Sequence, residues 1–215
     1  MNQFFRLSVV FVLLLLLGNE SKADVIADAD FESPASAGNW TIFGVANQDA
    51  MAPGIDGAVE GVQTLSVQGD DPQNQSFNGV FQDIAINPNL NIGFLVTLNG
   101  IIGHTSADPI RGSNSAYLEV SFVDSMGVEF GLTPSTAITS STPTDTYFAM
   151  TTGPVVVPTG ATAVRFKAVF LEPAGNPISG VAWFDNFSKI VSVPEPTSSV
   201  VLFGLGMVAV SRRRR

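Results

Sequence analysis

The chain has 215 residues, no cysteine, and 10 lysines and arginines against 19 aspartates and glutamates, for a formal charge of −9. The missing thiols exclude disulfides, thiolate metal centres and cysteine nucleophiles. The acidic balance argues against nucleic acid as a partner and against attraction to anionic lipid, because both require a positive surface.

In chain order, Arg6 precedes an apolar run from Leu7 to Leu17 that ends at Asn19 and Glu20, and Ser21-Lys22-Ala23 sets small residues at −3 and −1 of a cut after Ala23. This is the layout of a secretory signal peptide over residues 1–23, with the mature chain starting near Asp24. Between Asp24 and Val193 there remain 4 basic and 17 acidic residues, a net of −13 that suits a divalent cation. About 170 residues is ample for one core, so residues 24–192 read as a single domain.

Along that domain the hydrophobic period is two. Ala116, Leu118, Val120 and Phe122 alternate with Tyr117, Glu119 and Ser121; Val128, Phe130 and Leu132 flank Glu129; Val164, Phe166, Ala168 and Phe170 alternate with Arg165 and Lys167. Each pattern predicts a strand with one face buried. Further strands are expected over Trp40–Val45, Thr64–Gln68, Val80–Ile86, Ile92–Leu98, Thr146–Thr151 and Val181–Ile190, separated by turn formers such as Asp124-Ser125-Met126-Gly127 and Pro173-Ala174-Gly175-Asn176. The expected fold is all-β: a β-sandwich of two antiparallel sheets, each burying one face against the other.

The last elements are Val193-Pro194-Glu195-Pro196, an apolar stretch from Val200 to Val210, and Arg212-Arg213-Arg214-Arg215. The prolines stop regular structure by fixing φ and removing backbone donors. The 14 residues from Thr197 to Val210 reach roughly 21 Å as a helix, against about 30 Å of hydrocarbon. Such a segment spans as a single short transmembrane helix, helped by arginine stems that snorkel to the headgroups on the side where insertion began. The tail over 193–215 resembles the PEP-CTERM sorting signal of Gram-negative-type bacteria, with every part present in order. That resemblance implies export, processing by the membrane-embedded cysteine protease exosortase, transient anchoring in the membrane, and delivery to the cell surface or extracellular matrix.

The domain has a resemblance of its own. Ala29-Asp30-Phe31-Glu32-Ser33 with Asn39-Trp40 near its start, and Val181-Ala182-Trp183-Phe184-Asp185-Asn186-Phe187 near its end, are similar to the galactose-binding-like jelly rolls that include many carbohydrate-binding modules; Pro158 to Phe166 looks like the lead into their penultimate strand. The resemblance implies a jelly roll with Trp40 buried. It also implies a structural Ca2+ where the chain ends meet, with carboxylates from Glu32 and Asp185 and a further acidic contribution from Glu60. Calcium's preference for 6 to 8 oxygen ligands suits that donor set; an acidic edge that discourages strand aggregation is the competing account.

For glycans, strand parity sets Tyr117 and Trp183 outward as aromatic faces, while the 16 phenylalanines read as core. Catalysis finds little support. His104 is the one histidine, read here as a solvent-exposed loop residue, and no acid sits in a hydrolase context; glycoside hydrolysis would need two carboxylates about 5 to 9.5 Å apart in a cleft. The function expected is therefore a non-enzymatic, exported adhesive or structural sandwich. The alternative is a carbohydrate-binding module recognising a surface glycan or exopolysaccharide.

Overall fold

Period-two alternation becomes twelve strands in the computed structural model, which describes residues 26–34, 37–51, 63–69, 74–86, 92–176 and 180–192. They are β1 (Thr41–Phe43), β2 (Ala46–Met51), β3 (Gln63–Gln68), β4 (Ser76–Ala85), β5 (Leu95–His104), β6 (Ser115–Asp124), β7 (Glu129–Pro134), β8 (Ile138–Thr139), β9 (Thr146–Thr151), β10 (Val155–Val156), β11 (Ala161–Glu172) and β12 (Val181–Ser192). One sheet runs β1-β4-β11-β6-β7 with β8 also on β6; the other runs β10-β5-β12-β3-β2 with β9 also on β5. Every pairing is antiparallel. The fold is the expected β-sandwich, with no α-helix among the described residues. The leader over 1–23, Glu60 and the tail over 193–215 lie outside the described residues.

The core follows from strand parity. Val164, Phe166, Ala168 and Phe170 of β11 and Ala116, Leu118 and Val120 of β6 are wholly buried, facing Leu98 and Ile102 of β5, Leu65 and Val67 of β3 and Phe184 of β12 across the sandwich. Each large side chain so buried contributes roughly 2 kcal/mol. The alternation on β12 breaks at a bulge between Asp185 and Ser188, where Asn186 takes a φ of 52°. This extra residue turns Phe187 back to the core beside Phe184, so both ends of the strand pack inward.

Phe187 also joins the chain ends. Its N–H donates to Ala29 O at 2.8 Å, and its ring meets those of Phe31 and Trp40 at 5.2 and 5.4 Å, edge to face. Trp40 is buried and donates through Nε1 to Asp28 O at 3.0 Å. The early Asp-Phe-Glu segment and the late strand are thus in direct contact.

Strand boundaries differ from expectation at several points: the strand expected over Trp40–Val45 is β1 followed by a separate β2, β4 begins at Ser76 rather than Val80, β5 runs from Leu95 to His104 rather than from Ile92 to Leu98, and the short β8 and β10 are additional. His104 is no exposed loop residue: it ends β5, is fully buried, accepts the Ile110 N–H on Nδ1 at 2.9 Å, and donates through Nε2 to Thr142 O at 2.9 Å. The two bonds fix a neutral tautomer, since an amide N–H must donate and a carbonyl must accept. The residue is a structural clasp.

Candidate functional site

The outward face of the β1-β4-β11-β6-β7 sheet carries a groove of about 410 Å³. Register sets its side chains in rows across the strands. Asp83, Arg165 and Ser121 form one row; Phe81, Lys167 and Glu119 the next; then Gly79, Val169 and Tyr117; then Phe77, Leu171 and Ser115. Phe43 of β1 pairs with Gly79, and Glu129 and Leu132 of β7 close the far side.

Gly79 makes the groove's shape. Its φ is +155°, and a Cβ there would lie 1.9 Å from Ala168 O and 2.9 Å from Phe43 Cζ. A side chain would displace the backbone of the neighbouring strand and push the Phe43 ring away. With glycine, the Phe43 and Phe81 rings lie 6.3 Å apart across bare backbone.

The groove's charges are tied to one another. Arg165 grips Asp83 with two bonds, Nε to Oδ1 at 2.7 Å and a terminal amine to Oδ2 at 2.8 Å, and reaches Glu129 Oε2 at 3.4 Å. Its guanidinium stacks 3.9 Å above the Phe81 ring centroid. Lys167 bridges Glu119 and Glu129, and the Ser121 hydroxyl also donates to Glu129. Burial alone would raise the Glu129 carboxyl. The bonds from Lys167 and Ser121, with the charges of Lys167 and Arg165, instead hold it below the usual carboxylate range. Tyr117 is pushed up to about 12, first by burial and then by the charge of Glu119. The result is an apolar, aromatic trough whose ionised groups are fixed in orientation and keep spare donors and acceptors, the composition typical of small-ligand sites.

Sequence reading located part of this. Tyr117, Glu119, Arg165 and Lys167 are outward as their parity requires, whereas Phe43, Phe77 and Phe81 are groove rather than core. The available signal was on β4, where Phe77, Gly79, Phe81 and Asp83 alternate with the inward Val80 and Ile84.

Trp183 faces outward on the opposite sheet, half-buried, in a row with Tyr147, Gly103, Ser66 and Asn47. Of the metal candidates, Glu32 takes the Gln63 N–H on Oε1 at 2.8 Å, and Asp185 is fully buried and takes the Asn186 N–H on Oδ1 at 2.7 Å. Asp185 follows Phe184, the last residue of β12 that pairs with β3, and stands at the start of the bulge. Among the described residues, no group of three or more acidic or histidine side chains comes together as a metal cluster.

The remaining evidence comes from likeness to known proteins. Residues 192–215 match the PEP-CTERM protein-sorting motif. This motif directs export with membrane-anchored sorting, and so the C-terminal segment carries the chain's address. A search of curated proteins finds no sequence match. In structure, the chain is similar to the xylan-binding CBM22-1 domain of Paenibacillus barcinonensis Xyn10C, at 13% identity and a TM-score of 0.50, over 82% of this chain and 99% of that one. It is similar at 15% identity and 0.50 to the C-terminal family 22 carbohydrate-binding module of Clostridium thermocellum Xyn10B, over 83% and 98%. The arabinose-bound MgGH51 α-L-arabinofuranosidase aligns at 14% identity and 0.51, over 80% of this chain but 27% of the enzyme. At such identities these likenesses establish the fold, a jelly-roll sandwich of the carbohydrate-binding-module type.

Proposed function

We propose that the protein is an exported glycan-binding module, with a leader to residue 23, the sandwich over 24–192, and a sorting signal that exosortase processes on the way to the cell surface or extracellular matrix of a Gram-negative-type bacterium. The observation that carries the reading is the groove on the β1-β4-β11-β6-β7 face. Its aromatic walls suit the apolar faces of sugar rings, Lys167 and Glu119 offer charge-assisted bonds to hydroxyls, and Tyr117 offers a neutral hydroxyl. An adhesive role follows if the glycan is an exopolysaccharide or another surface glycan of the producing cell. Glu129, held ionised by two cations, is unsuited to the proton-donating role in glycoside hydrolysis. The reading includes a structural Ca2+ held by Glu32 and Asp185 where the chain ends meet.

The test is affinity electrophoresis of the mature chain in gels containing xylan, mixed-linkage glucan or purified exopolysaccharide. Retardation by at least one is expected. Phe81→Ala should weaken it about tenfold, which corresponds to about 1.4 kcal/mol, while Trp183→Ala on the other sheet should leave it unchanged. No retardation by any of the polysaccharides, or none lost in Phe81→Ala, would dismiss the groove as the site.

A further inference from the structure

Eight large hydrophobic side chains stand exposed among the described residues, and five of them gather at one end of the sandwich: Ile92, Met126, Val128, Val156 and Ile190. Pairing defines that end. Leu95, the first residue of β5, lies between Val156 of β10 and Ser192, the last residue of β12, and Ile190 sits one outward step further along. The β6–β7 turn projects there too, because Asp124 pairs with Ala161 at the start of β11, which a four-residue connection joins to β10.

Among the described residues, the strands that build this end are poor in charge. The chain carries no charged residue from Ile84 to Gly103 or from Thr146 to Val164, although the domain holds 17 acidic residues. The turn brings two acids, and both are engaged. Asp124 Oδ1 accepts the Met126 and Val128 N–H groups at 2.8 and 2.9 Å, which holds the apolar tip upright, and Glu129 is bound by Lys167 and Arg165. Met126 is 82% exposed.

The sorting tail leaves from the same place. Four residues, Val193 to Pro196, separate the end of β12 from the stretch beginning at Thr197. Even fully extended they span no more than roughly 18 Å to Thr197. With the apolar run embedded, this end of the sandwich is held close to the bilayer at a high effective concentration, where contacts too weak to recruit a free protein become occupied.

We infer that this end is a membrane-docking face: while the tail is inserted, Ile92, Met126, Val128, Val156 and Ile190 press into the lipid surface on the exported side. The inference rests on the reading of the tail as a membrane-embedded sorting signal. Apolar, with Asp124 turned onto the amides of its own turn and Glu129 paired to cations, the face meets less repulsion at an anionic surface than the acidic body does, and its aliphatic side chains suit the headgroup–acyl boundary. Docked end-on, the strands stand away from the membrane and the groove opens sideways, clear of lipid.

The absence of cysteine allows single labels. Full-length chain lacking the leader is inserted through its tail into phosphatidylethanolamine–phosphatidylglycerol vesicles, carrying an environment-sensitive fluorophore on Val156→Cys, Ile190→Cys or, as an opposite-end control, the exposed Ala107→Cys. Quenching by lipid-borne nitroxide is expected at 156 and 190 and not at 107, and adding Met126→Ser with Val128→Ser should reduce it several-fold. Labels at 156 and 190 as water-exposed as that at 107, in chains that float with the vesicles, would overturn the docking face alone. Shielding that appears only when exosortase is present would assign the face to a protein instead and overturn lipid docking. A chain that does not float with the vesicles would overturn both the docking face and the reading of the tail.

Discussion

Lys167 sits where three strands contribute charge to one point: its own β11, Glu119 of β6 and Glu129 of β7. Strand parity alone makes all three legible as outward residues, yet their meeting depends on β11 lying beside β6 and β6 beside β7. That order is a long-range choice that period-two patterning does not encode. The phenylalanines mislead for a related reason: β4 has apolar residues on both faces, and hydrophobicity alone does not separate a groove from a core. A pH dependence follows from the pairing. Glu129 has a folded-state pKa below its unfolded value near 4.3, so it contributes stability that is fully present above that value and is lost as pH falls through the lowered one. Denaturant melts from neutral to strongly acidic pH should show this loss on the acid side, and Glu129→Gln should flatten that part of the profile. An unchanged profile in the variant would mean that the carboxylate is not coupled to folding.

At the scale of elements, β5 illustrates how a strand end is secured. His104 closes it by binding the Ile110 amide and the Thr142 carbonyl, so one imidazole ties the strand to the segment that follows it and to the residues just before β9. In the sequence, Gly103-His104-Thr105-Ser106 has turn composition and reads as a loop, because both partners of the histidine are backbone groups and leave no trace in residue identity. The β12 bulge is half legible in the same way: Trp183-Phe184-Asp185-Asn186-Phe187 breaks strict alternation, but only pairing with β5 shows where the extra residue sits. His104→Ala would leave the buried Ile110 N–H and the part-buried Thr142 C=O without this partner and remove a packed ring. A loss on the order of 3 kcal/mol is expected by chemical denaturation, with faster hydrogen exchange at the Ile110 amide. A loss under about 0.5 kcal/mol, the scatter of ordinary surface substitutions, would refute the clasp.

Across the whole molecule, the sandwich itself is the most legible feature, since alternation on β6 and β11 each demands one buried face and only a second sheet supplies enough apolar surface to cover them. The junction of the chain ends is legible through likeness to other jelly rolls, and the structure supplies its physical content: Phe31, Trp40 and Phe187 in mutual contact, one backbone bond from Phe187 to Ala29, and Glu32 reaching the amide of Gln63. In a domain without disulfides this junction joins the chain ends where a cross-link does so elsewhere, and a cation held there by Glu32 and Asp185, as proposed, would stabilise the native state by mass action. Calcium at a hundredfold over its dissociation constant would add about 2.7 kcal/mol, enough to raise the melting temperature by several degrees for a domain of this size. The measurement is the melting temperature of the mature chain in millimolar calcium and in excess chelator, for the natural sequence and for Glu32→Gln. A calcium-dependent rise that disappears in Glu32→Gln is expected, whereas identical melting with and without calcium would leave the junction to its aromatic contacts and hydrogen bonds alone.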